Sequence, residues 1–202
     1  SDVCSSDLLI TALELDDDQA RYARQLLLGS GLRTLPASVG PSVADPIRRL
    51  LVRFGDLPAM VIGPQTSILA WNAAAARLFV DFAAIPVERR TYVDLLFDNP
   101  TFQSRFRDLD AMKDVVVGIV RSTANSFAAD AHLPELADRN PEFRERWDRY
   151  TVTQPREQLQ IPFRDPDHGD VTVDQVVLMF DDPSQRLLLF MRSSDADAEF
   201  TR

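Results

Sequence analysis

Residues 59–79 read AMVIGPQTSILAWNAAAARLF, and this stretch decides the fold. Residues 59–62 are an apolar run, Gly63-Pro64-Gln65 is turn chemistry, and residues 67–71 are a second apolar run. That is the pattern of two short strands joined by a tight turn. Asn72 then suits a helix N-cap, because its amide oxygen can accept the first free backbone N–H groups of the alanine-rich segment that follows. The expected order is strand, turn, strand, helix.

On the N-terminal side, Asp45-Pro46 starts a helix with cap and first-turn proline in the favoured order. Ile47, Leu50, Leu51 and Phe54 fall on one face, opposite Arg48, Arg49 and Arg53, and Gly55 ends the helix. Residues 31–44, with Gly31, Pro36, Gly40 and Pro41, read as a linker. In residues 9–30, Asp16 can cap a helix whose apolar stripe is Ala20, Ala23, Leu26 and Leu27. So short a helical piece cannot bury a core alone, which suggests the end of a larger domain. Residues 1–8, SDVCSSDL, resemble translated adapter sequence and are expected to be a scar, the alternative being a native polar lead-in. They are set aside, with Cys4, in reasoning about function.

On the C-terminal side, Pro86 opens a short helical segment with Tyr92, Leu95, Leu96 and Phe97 inward. Asn99-Pro100 restarts the chain as one long helix, whose row of Phe102, Phe106, Leu109, Val116 and Val120 runs to about Phe127. Pro134 and Asn140-Pro141 restart it again, the last piece placing Phe143, Trp147 and Tyr150 on one stripe. From Thr151 the period becomes alternating. Gln158, Gln160 and Phe163 interleave with Leu159 and Ile161, and two further apolar runs follow, at residues 171–180 and 186–191. Turns at residues 165–169 and 181–184 separate them, and residues 195–202 form a polar tail. The fold class expected is α+β: an antiparallel sheet of about five strands, two N-terminal and three C-terminal, with an inserted helical block.

Composition narrows the function. A net charge of −9, with Lys113 the only lysine, argues against gripping nucleic acid through the bulk surface. No apolar run approaches the roughly 20 residues of a membrane-spanning helix, and no secretory signal is visible, so no membrane partner is expected. A single cysteine fits a reducing cytoplasm. His132 and His168 have no second ligand at metal spacing and are expected at the surface. Neither a Gly-x-Ser-x-Gly elbow nor a phosphate loop occurs. Asp16-Asp17-Asp18 and Asp181-Asp182 lack the glycine and glutamate of a calcium loop, so they read as caps and turns. No catalytic residue, metal or cofactor is therefore expected.

What remains is an apolar interior flanked by arginines. Arg89 and Arg90 precede the Tyr92 segment, and Arg144 follows Phe143. A guanidinium at the mouth of an apolar cavity suits a carboxylate, because it offers two donors in a fixed fork. The plainer alternative is that these arginines are solvated or paired with Glu88 or Glu145. Trp71, Phe143 and Trp147 are either core residues or pocket walls.

Four segments, ILAWNAAAARLFVDF, PVERRTYVDLLFDNP, NPEFRERWDRYTV and HGDVTVDQVVL, together resemble the MmyB-like (MltR) ligand-binding domain of bacterial transcription regulators, in that family's order. The resemblance implies a PAS-like domain over residues 45–194 with a buried pocket for a long-chain fatty acid or similar small-molecule amphiphile. Trp71, Asn72, Arg89, Arg144 and Trp147 match the family pattern, and with Arg90 they are the candidate ligand-binding residues. Gln103, Leu109 and Tyr150 depart from it, where arginine, tryptophan and histidine are usual. The resemblance also implies a Cro/repressor-type (XRE) helix-turn-helix domain upstream, to whose last helices residues 9–27 are similar. DNA would be contacted only through that domain, by a cytoplasmic homodimer. Two alternatives stand beside this reading: a ligand-free PAS-like dimerisation module, and an enzyme acting on acyl compounds, for which no nucleophile and base occur together.

Overall fold

Strands from opposite ends of the chain meet in the middle of one antiparallel sheet. The computed structural model describes residues 19, 42–124, 132–149, 153, 158–180, 182 and 184–193. The expected scar, all but residue 19 of the expected helical remnant over residues 9–30, most of the linker, Tyr150 and the polar tail lie outside them. The chain divides into two compact units, Val39–Lys113 with Arg156–Arg202, and Ser1–Ser38 with Asp114–Pro155.

The first unit holds the sheet. Helix α1 (Asp45–Arg53) leads to β1 (Ala59–Ile62), a one-turn 3₁₀ segment (Pro64–Thr66) and β2 (Ile68–Trp71). Helix α2 (Ala73–Leu78) follows directly, with Asn72 as its cap. After the inserted helices come β3 (Gln158–Asp165), β4 (Gly169–Met179) and β5 (Arg186–Arg192). The strand order is β2-β1-β5-β4-β3, with Val61 facing Leu187 where the two ends of the chain pair. This is the α+β, PAS-like arrangement expected, two strands from the N-terminal side and three from the C-terminal side.

Alternation puts one apolar set on each face. One face carries Ala59, Val61, Ala70, Leu187 and Leu189, covered by Leu51 of α1 and by Val43. The other carries an aromatic layer centred on Phe79, whose ring lies 4.8 Å from Phe190 and 5.3 Å from both Phe102 and Phe163. Between β1 and β2 the turn is tight. A Cβ on Gly63 would come within 2.6 Å of Leu69 Cδ1, and Gln65 and Thr66 take left-handed φ values of 51° and 63°. Thr66 is held there by its hydroxyl, which accepts the Val93 N–H at 3.1 Å.

Several local expectations need correction. Helix α1 starts at Asp45 itself; the cap position is Ala44, and no side chain caps it. Leu50, placed on the inward stripe, is 43% exposed, because the buried stripe turns about Leu51. The segment opened by Pro86 is a 3₁₀ turn (Val87–Arg89) followed by helix α3 (Tyr92–Asp98), which Thr91 caps. The long helix from Pro100 is two helices, α4 (Pro100–Gln103) and α5 (Leu109–Ala124). Between them the chain runs beside β3: the Arg107 N–H donates to the Pro162 carbonyl at 3.1 Å, and the Arg164 N–H to the Arg105 carbonyl at 2.6 Å. Asp108 restarts the helix by accepting the Ala111 N–H. Phe163 shares a face with Leu159 and Ile161 rather than with Gln158 and Gln160, as a period of two demands.

The helices of the described part of the second unit are the rest of α5, α6 (His132–Arg139) and α7 (Pro141–Asp148), beside the single residues 19 and 153. Asn140 caps α7 by accepting the Phe143 N–H at 2.9 Å, and Leu136 and Phe143 are fully buried. Gly118 lies inside α5 because a Cβ there would come within 2.8 Å of the Thr153 backbone nitrogen.

Candidate functional site

The structure divides the six candidate residues. Trp71, Asn72, Arg89 and Arg90 belong to the sheet unit, Arg144 and Trp147 to the helical unit. Trp71 and Arg90 are brought together: the Arg90 guanidinium lies 5.1 Å from the Trp71 ring centroid, a cation–π contact. The same guanidinium spends two donors on the Ile85 carbonyl, from Nη2 at 2.6 Å and Nε at 3.2 Å. Phe82 backs the indole at 5.3 Å. Arg90 and Trp71 therefore form a wall rather than an open fork.

Asn72 is a buried hub. Its Oδ1 accepts N–H groups from Ala75 at 2.9 Å and Ala59 at 3.1 Å, and its Nδ2 donates to the carbonyls of Leu57 at 2.8 Å and Leu51 at 3.3 Å. One side chain thus ties α1, β1 and α2 to the end of β2. All four hydrogen-bonding positions of the amide are used internally.

The remaining arginine candidates are paired, though not with the glutamates expected. Arg89 meets Asp98 at 2.9 Å, and Arg144 meets Asp138 and the Ala137 carbonyl. Glu145 pairs with Arg149 instead. Trp147 stacks on Phe143 at 5.8 Å, with the Arg121 guanidinium 4.0 Å from its ring centroid. Arg146, half-buried and adjacent in sequence to Trp147, joins Asp114 at 2.6 Å and Glu142 at 3.1 Å. For Arg89 and Arg144 the fork that was to receive a carboxylate is met by one within the unit.

A cleft of about 440 Å³ opens elsewhere in the sheet unit, and none of the six candidates lines it. Leu57, Leu78, Val173 and Phe190 contribute apolar walls, and Arg77, Asp165 and His168 contribute polar ones. Sequence reasoning placed Asp165 and His168 in a turn; His168 lies in it and Asp165 ends β3 just before it, but there was no signal for a cleft beside them. The turn is built on Asp165, whose Oδ1 accepts the N–H groups of Asp167 at 2.8 Å and His168 at 3.0 Å and lies 3.1 Å from His168 Nδ1. Burial alone pushes the Asp165 carboxyl up, but these three contacts outweigh it and hold it below the usual carboxylate value. A depressed folded-state value means stability present above the unfolded value, near pH 4, and lost as pH falls below it. Asp165→Asn is expected to reduce stability at pH 7 and to flatten its decline under acid. Chemical denaturation of both proteins at pH 7 and pH 3 checks this, and equal acid slopes would refute it. His132, expected at the surface, is half-buried at the first position of α6.

Among the described residues, no group of three or more His, Cys, Asp or Glu is placed to hold a metal ion, and no helix is long and apolar enough to cross a membrane. Residues 43–202 match the family model of the MmyB-like transcription regulator ligand binding domain. No curated protein matches the chain.

Proposed function

The chain belongs to the MmyB-like transcription regulator ligand-binding domain family, and on that premise we propose that it is the ligand-sensing module of a bacterial regulator of the XRE type, binding a long-chain fatty acid or similar amphiphile. The single observation that carries this reading is the family match over residues 43–202. The sheet unit has an apolar interior in which Phe79, Phe102, Phe106, Phe163 and Phe190 pack ring on ring, so an apolar chain would enter this layer only by parting those side chains. The ligand would act through differential contacts with two conformations, biasing how a homodimer presents its helix-turn-helix domains to an operator. The protein would work in the cytoplasm, meeting DNA only through those domains.

A second reading is a ligand-free PAS-like dimerisation module. The internal pairing of Arg89 and Arg144 favours it, since neither fork is left open for a carboxylate. Mass spectrometry of small molecules released by denaturing the purified protein separates the two. A fatty acid recovered at one per chain is the expected result. A lipid-free dimer that takes up no added fatty acid would overturn the sensor reading in favour of the module.

A further inference from the structure

Two polar side chains at one end of the sheet lack a partner among the described residues. Arg186 opens β5, with Ile62 across from it on β1 and Met179 across from it on β4. The period of two puts it on the aromatic face, in line with Leu188 and Phe190. It is half-buried, and burial pulls the guanidinium below its usual value with no hydrogen bond or neighbouring charge to offset the shift. Arg89, Arg144 and Arg146 each have a carboxylate, and Arg90 has a carbonyl; among the described residues Arg186 has neither. Its neighbours mark a boundary: Ile62 is 8% exposed and Met179 58% exposed, so the guanidinium stands where the covered face gives way to open apolar strand.

The second side chain is Tyr92, at the start of α3. Its ring stands at right angles to Phe102, 5.1 Å away, inside the aromatic layer. Its hydroxyl is buried without a hydrogen-bond partner, and burial drives its ionisation far above the usual phenol value. The hydrogen bond from Val93 to Thr66 fastens the first turn of α3 to the β1–β2 turn, which begins one residue after Ile62. Tyr92 and Arg186 therefore belong to the same end of the sheet.

A half-buried cation and a buried hydroxyl, each without a partner among the described residues, are unfavourable unless a further group completes them. We propose that this end of the aromatic face receives the anionic head of a single-chain amphiphile, Arg186 meeting the charge, Tyr92 adding a hydrogen bond, and Val177 and Met179 lying along the chain. The inference rests on the sensor reading above and deepens it by naming the head group's place. A guanidinium selects an anion over a neutral or cationic head, and its planar fork fits carboxylate and phosphate alike. The apolar neighbours select a chain over a free anion.

Calorimetric titration of the whole protein with laurate, dodecyl phosphate and dodecanol tests it. At least one of the two anions is expected to bind, dodecanol more weakly, and whichever anion binds more tightly identifies the head as carboxylate or phosphate. Arg186→Gln is expected to weaken anion binding by about tenfold or more and to leave dodecanol unchanged. Arg186→Lys, which keeps the charge without the fork, serves where the glutamine variant fails to fold, and is expected to lose part of the affinity. Tyr92→Phe is expected to raise the melting temperature of the ligand-free protein, since it removes an unpaired hydroxyl, while lowering anion affinity. A purely structural tyrosine would give a fall in melting temperature and no change in affinity. Anion binding that neither Arg186 variant alters overturns this placement and leaves the sensor reading intact. No binding of any of the three probes by the parent protein overturns both.

Discussion

Asn72→Ala is expected to destabilise the protein by about 3 kcal/mol or more, because it strands several buried backbone groups at once. The N–H groups of Ala59 and Ala75 lose their acceptor, and the carbonyls of Leu57 and Leu51 lose their donor. Each unsatisfied group costs about 1–3 kcal/mol where water cannot reach it, and Asn72 is only 7% exposed. An ordinary N-cap replaced by alanine costs about 1 kcal/mol, so a loss near that figure would mean that the long-range bonds to Ala59, Leu51 and Leu57 contribute little. Asn72→Asp makes the test sharper. It keeps both acceptor contacts but turns an oxygen toward two carbonyls, so it is expected to be no better than alanine at neutral pH. Urea denaturation of the three proteins reads both effects. The same bonds bear on the candidate site, since an amide with all its positions used internally holds α1, β1 and α2 together.

Phe79→Ala is expected to cost about 3–5 kcal/mol, the range for removing a buried phenylalanine side chain. Phe79 is fully buried, and its ring meets five others: Phe82, Phe102, Phe106, Phe163 and Phe190. These rings come from the sheet, from α4 and the segment after it, and from the chain after α2, so little can collapse into the space without dragging backbone with it. Phe79→Leu keeps most of the volume and is expected to cost less. Differential scanning calorimetry of the two variants checks the order. A Phe79→Ala protein melting within a degree or two of the parent would show that the layer repacks freely, against the close packing of its rings.

The two units carry their arginines differently from what a linear reading suggests. Proximity in sequence pointed to Glu88 and Glu145 as partners, whereas Arg89 reaches nine residues on to Asp98, and Arg146 reaches back 32 residues to Asp114. Which arginine is left over is a property of the folded chain. Arg186 drew no notice in sequence because it begins an ordinary apolar strand, between residues whose exposure is set by other strands.

What the sequence determined alone was whatever depends on neighbours along the chain. Asn72, Asn99 and Asn140 accept N–H groups three residues ahead, so the starts of α2, α4 and α7 were legible from residue type and the following proline or alanine. The alternation of β3 to β5 and the turn at residues 165–169 were legible for the same reason. The tertiary structure decided the rest. A helical row running from Phe102 through Phe106 to Val120 continues unbroken on paper, yet the backbone of Arg105 and Arg107 pairs with β3 instead, and Phe106 bridges to Phe163. No local pattern reports a strand some 57 residues away. The meeting of β1 with β5, the ring of aromatics around Phe79 and the half-buried Arg186, without a partner among the described residues, all arise the same way. Each depends on which distant segments exclude water from a group, and that is settled only when the chain has closed on itself.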